Sequence, residues 1–175
     1  EEDEHEFKSD NNIIQTYYDA FSPEEEASDE ELQRAMLTFG PFPEPVPDFT
    51  WCGAFMEPKK RPYHWSLVNN APLIMRNLLF RNVPWETTKQ ALDFGCGYGA
   101  DLSRLAVAHE ELKLDGYTLS SHQQAIGRRL ANYYKVTDRI KIYHRDSSKI
   151  EFPNTYDLVF GFEVAHHVPD KPALF

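Results

Sequence analysis

The chain has 175 residues, a formal net charge of −10 and 41% hydrophobic residues, enough apolar content for one domain-sized core. No continuous apolar run approaches the roughly 18 residues of a membrane span, and the acidic N-terminus is not that of a signal peptide. Only Cys52 and Cys96 are present, which excludes a disulfide framework and a cysteine-rich zinc site, so the default setting is reducing and cytoplasmic.

Residues 1–32 carry thirteen acids against one base, Lys8, whereas the rest of the chain is close to neutral. The acidity therefore belongs to the leader. No basic stripe with interleaved aromatics appears, so nucleic acid is not an expected partner. Residues 1–12 read as an acidic, disordered linker. Ile13 to Phe21 has the pattern of a short amphipathic helix. A second helix starts at Ser22-Pro23-Glu24-Glu25, with a capping serine, a proline at the first helical position and a capping-box Glu25, and runs to about Leu37.

From Phe39 to Pro62 prolines fall at 41, 43, 45, 47, 58 and 62 among Phe39, Phe42, Phe49, Trp51 and Phe55. Proline removes the helical hydrogen-bond donor, so this stretch is expected to be extended rather than helical. It reads either as a loop pinned on the core or as an aromatic lid over an apolar pocket. Lys59-Lys60-Arg61 beside it is a solvated loop or a docking point for an acidic partner. A helix over His64–Phe80 follows, kinked or started by Pro72. Residues 13–88 thus form an N-terminal helical and proline/aromatic region, and 89–175 the core.

In the core, strands alternate with helices. Strands are expected at Gln90–Phe94, Leu112–Thr118, Ile140–His144 and Tyr156–Phe160, and helices at Ala100–His109 and Ser121–Tyr134. Such alternation gives a parallel α/β sheet of Rossmann-like type. Only four strands are in view at Phe175, so the reading is of a core truncated at its C-terminal end.

The chemistry concentrates at the strand ends. The run ALDFGCGYG ends the first strand in Asp93 and continues through Gly95, Gly97 and Gly99. A dinucleotide site more often reads G-x-G-x-x-G with its acid some twenty residues on. Here the acid stands on the strand end, where it suits a ligand carrying an ammonium, such as S-adenosylmethionine. The second strand ends in DGYTLSSHQ, the third in HRDSS and the fourth in GFEVAHHVPD. Two adjacent histidines and a glutamate at a strand end, facing a glycine loop, favour function, because ligands of open α/β sheets bind at that edge.

Taken together, these motifs resemble the class I S-adenosylmethionine-dependent methyltransferases over about residues 88–175. The chain most resembles the C-methyltransferase domains of modular polyketide synthases, a likeness that extends back through YYDAFSPEEE and LTFGPFPEPVP. It is also similar to C-methylating relatives of cyclopropane-fatty-acid synthases. The resemblance implies that Asp93, Gly95, Gly97 and Gly99 face the methionine part of the cofactor. Most members place an acid for the ribose hydroxyls at the end of the second strand. Here Thr118 and Leu119 stand there, as in the TLS-x-x-Q pattern, with Gln123 taking the contact. Asp146 and Ser147 are implied at the adenine amine; Phe162 is a candidate near the cofactor, and Tyr17, Tyr18 and Trp51 are candidates for an aromatic lid over the sulfonium, since aromatic faces favour such a cation.

The resemblance further implies a histidine base. His166 matches best and His167 second, with a glutamate partner expected beyond Phe175, although Glu163 is within local reach. An imidazole ordinarily titrates near pH 6.5 and can accept a proton at neutral pH. The implied reaction is methylation of the α-carbon of a β-ketoacyl intermediate carried by an acyl carrier protein on its phosphopantetheine, among neighbouring synthase domains. A free-standing small-molecule or lipid methyltransferase and a non-catalytic cofactor-binding domain are the alternatives. No metal-ligand spacing stands out.

Overall fold

The computed structural model describes residues 44–149 and 151–168 continuously, together with 16, 27–32, 36, 38, 40–42 and 170–172. The expected helices over 13–21 and 22–37 fall mostly outside these residues; Thr16 is helical, and α1 spans Asp29–Leu32. The chain divides into two compact units, Glu1–Ala35 with Trp85–Phe175, and Met36–Pro84.

In the smaller unit the expectation of a helix-free stretch from 39 to 62 is corrected. Trp51–Met56 forms a short helix, α2. Residues 48–57 contain no proline, and Thr50 caps the helix, its Oγ1 accepting from Gly53 N at 3.1 Å. Helix α3 runs over Pro62–Phe80 without a break at Pro72. Arg76, only 6% exposed, lies one turn on: its Nη1 donates to the Pro72 carbonyl at 3.1 Å and to Thr38 Oγ1 at 2.8 Å. Phe42, Phe49 and Trp51 pack ring on ring, with Phe42–Trp51 stacked at 5.8 Å and Phe49–Trp51 edge to face at 5.1 Å.

The larger unit is the parallel sheet. Its strands are β1 (Gln90–Asp93), β2 (Lys113–Thr118), β3 (Ile140–His144) and β4 (Leu158–Phe160), in the order β3-β2-β1-β4. All pairings are parallel; Asp93 is level with Gly116 on one side and Phe160 on the other. Helices α4 (Ala100–Ala108) and α5 (Ser121–Tyr133) touch each other and both touch β2 and β3. They supply the connections that parallel strands require. On the other side, Leu92, Phe94, Tyr117 and Val168 form a core flanked by Tyr143, Phe152 and Tyr156.

The strand order reverses direction at β1, whose successor β2 lies on one side and β4 on the other. An open sheet leaves its ligand crevice at such a switch point, outside the carboxyl ends of the strands. The loops after β1 and β4 therefore flank the crevice, and both carry the residues singled out from sequence.

Candidate functional site

Asp93 ends β1 almost completely buried, at 2% exposure, and its Oδ1 accepts from Gly95 N at 3.1 Å. The loop is then tied down by backbone. Cys96 N donates to the Tyr117 carbonyl at 2.8 Å, and Gly99 N to the Cys96 carbonyl at 2.8 Å. Gly97 and Gly99 have φ of +51° and +68°, a region that residues with a Cβ rarely enter. Gly99 leads directly into α4.

The three glycines serve different ends. A Cβ at Gly97 would meet nothing within 4 Å, so its backbone borders open space. A Cβ at Gly95 would lie 2.2 Å from Val164 Cγ2, in the loop after β4. A Cβ at Gly99 would lie 3.0 Å from Ile142 Cδ1 and 3.4 Å from Gly127 Cα, against the neighbouring strand and helix. Burial pushes the Cys96 thiol well above its ordinary pKa, and the nearby Asp93 carboxylate adds to the rise. Cys96 is therefore a packed thiol, not a thiolate nucleophile.

At the end of β2, Thr118 and Gln123 are both buried and bonded to each other, Thr118 Oγ1 donating to Gln123 Oε1 at 2.7 Å. Ser120 caps α5 by accepting from Gln123 N at 3.1 Å. The Leu119 carbonyl lies 3.0 Å from His144 Nε2, which ties the end of β2 to the end of β3. Asp146, 2% exposed, organises its own turn, its Oδ1 accepting from Ser148 N at 3.0 Å and Ser148 Oγ at 2.6 Å. Ser147 is half-buried within that turn.

After β4, Phe162 is half-buried, with its ring 5.8 Å from that of Phe160. Glu163 adopts φ +55°. The turn Ala165–His167 is a single 3-10 turn that brings the rings of His166 and His167 to 3.9 Å. His166 Nδ1 lies 3.8 Å from Glu163 Oε2. Burial lowers the pKa of His167, the adjacent His166 lowers it further, and Glu163 opposes them. Tyr17 and Tyr18 lie outside the described residues.

The strand ends thus bring together Asp93, the glycine loop and the Glu163–His167 turn on one side, and Thr118, Leu119 and Gln123 on the other. Val164 was missed in the sequence. An isolated valine after a strand carries no chemical signal, and only the glycines at 95 and 161 hint at a close neighbour.

The residues fit S-adenosylmethionine. A nearly buried carboxylate stands at the switch point, and a glycine backbone faces open space where any larger residue would intrude. Asp93 and the Gly95–Gly99 backbone would hold the amino-acid end of the cofactor, and α4 presents its N-terminus there.

Comparison with known proteins agrees. Residues 92–175 match a family model described as a methyltransferase domain. The chain is 37% identical over 145 residues to the polyketide synthase ThaQ of Burkholderia thailandensis, covering 83% of this chain and 7% of that protein. Among solved structures, the StiE O-MT is 41% identical with a TM-score of 0.75, covering 83% of this chain and 53% of that one. The O-methyltransferase from a trans-AT PKS multienzyme of Brevibacillus brevis, in complex with S-adenosyl-L-homocysteine, is 32% identical with a TM-score of 0.74, covering 79% and 47%.

The fold is that of the class I S-adenosylmethionine-dependent methyltransferases, and residues 92–175 carry the match to a methyltransferase domain. Within that class the chain is related to the methyltransferase domains of polyketide synthases. It spans a small part of the synthase and about half of each solved relative.

Proposed function

We propose that this domain methylates a hydroxyl oxygen of an acyl intermediate carried on an acyl carrier protein, with His166 as general base. The observation that carries the reading is the exposed His166, 3.8 Å from Glu163, on the loop that packs directly against the glycine loop. With Nδ1 turned to the carboxylate, Nε2 is left to accept the hydroxyl proton. The cofactor supplies an electrophilic methyl group on a sulfonium. Glu163 stabilises the imidazolium that forms. Holding acceptor and donor in near-attack geometry supplies much of the rate.

Oxygen is preferred over the α-carbon expected from sequence because the solved relatives above are described as O-methyltransferases. The carbon reading is supported by the Thr118–Gln123 pair, which replaces a ribose acid as in the carbon-methylating relatives. Both readings need a base, since neither an aliphatic hydroxyl nor an α-carbon is ionised at neutral pH.

The test uses 13C-methyl cofactor with β-hydroxyacyl and β-ketoacyl carrier substrates, and NMR of the product. The proposal expects a methoxy carbon, reduced at least about a hundredfold in rate by His166→Ala. A C-methyl product establishes the carbon reading. Unchanged turnover in the variant removes His166 as base.

A further inference from the structure

The geometry points to Val164 as a positioning residue: a wedge that sets the histidine turn in register with the glycine loop. This deepens the methyltransferase reading and rests on it.

Two bare Cα atoms make the slot that Val164 fills. A Cβ on Gly95 would lie 2.2 Å from Val164 Cγ2 and 2.5 Å from its Cβ. A Cβ on Gly161 would lie 2.7 Å from Val164 Cγ1 and 2.7 Å from Phe94 Cζ. Real Cβ atoms do not approach so closely, so the loop after β1 and the loop after β4 meet across glycine on both sides of one side chain. Val164 and the neighbouring Ala165 also pack on the Leu92, Phe94, Tyr117 and Val168 core. The wedge is therefore anchored in the interior of the domain.

The backbone around the wedge carries the consequence. Glu163, immediately before it, adopts φ +55°, a conformation that is strained for a residue with a side chain and persists only where its surroundings impose it. The Val164 carbonyl accepts from His167 N at 2.9 Å and so starts the turn that carries both histidines. Val164 thus links a strained glutamate on one side to a histidine turn on the other, and its side chain pins that link against the glycine loop. The 3.8 Å approach of Glu163 to His166 follows from that arrangement. Removing the methyls lets the two loops slide, and a displacement near 1 Å between base and bound methyl group costs about a hundredfold in rate.

Steric exchange tests this with binding and turnover together. Gly95→Ala should weaken S-adenosylhomocysteine binding in calorimetry at least about tenfold, because its methyl collides with Val164. Gly95→Ala/Val164→Gly, which also removes the Val164 Cβ that would lie 2.5 Å from the new methyl, should recover most of that loss. Val164→Ala alone should bind within about threefold of wild type yet turn over at least about tenfold more slowly below its melting temperature, a split that lost stability alone does not produce. A double variant that binds no better than Gly95→Ala overturns the inference, as does full turnover in Val164→Ala. If wild type binds S-adenosylhomocysteine but transfers no methyl group, the functional reading fails, and the binding arm still decides the wedge.

Discussion

Asp93 and Gly97 are legible from residue type and spacing alone. An acid on the end of a buried strand followed by alternate glycines has few other uses, and the structure gives Asp93 its burial and Gly97 its open flank. His167 is not legible in that way, because two adjacent histidines look alike in sequence. The fold separates them: His166 is exposed, and His167 is half-buried with a pKa lowered by burial and by its neighbour. The sign follows from linkage. Protonation of His167 is disfavoured in the folded state, so acid favours unfolding. Its contribution is intact above the ordinary histidine value of 6.5 and is lost as the pH falls through the lowered folded value. Urea midpoints measured from pH 7.5 down to about 5 should therefore fall less steeply in His167→Gln than in wild type. Parallel profiles would show that His167 titrates alike in both states.

At the scale of elements, the alternation of strand and helix from Gln90 to Phe160 reads correctly, because apolar runs bounded by glycine and polar turns have one parallel solution. The strand ends move by at most two residues from the expected bounds. The error lies in α2. Six prolines between 39 and 62 suggest a continuous extended path, but Thr50 supplies a cap inside a proline-free window, and the local hydrogen bond decides. Pro72 misleads in the same way, since its missing N–H removes one bond from a helix of 19 residues and the helix continues. Thr50→Ala should destabilise the Met36–Pro84 unit by about 1 kcal/mol, read as a lower denaturant midpoint for the Trp51 fluorescence transition. No shift would mean that ring packing alone holds α2. The Val164 wedge was invisible at this scale, because it joins Gly95 to a residue 69 positions further along the chain.

For the whole molecule, the parallel order β3-β2-β1-β4 explains why residues from four separate motifs share one edge. The order turns at β1, so the loops after β1 and β4 must flank the same crevice, and the ends of β2 and β3 line its continuation. Relatives from polyketide synthases carry the same architecture, and the likeness was readable before the fold because the glycine loop and TLS-x-x-Q lie on adjacent strands. The acceptor atom was not readable, since oxygen and carbon acceptors can share a cofactor half and a base. The central claim is that the Asp93–Gly99 loop holds S-adenosylmethionine. Calorimetric titration with S-adenosylhomocysteine tests it most directly, on wild type and Asp93→Ala side by side. One saturable site per chain, weakened at least about tenfold by loss of the carboxylate, is the predicted result. No binding by folded wild type, or equal affinity in the variant, would contradict it.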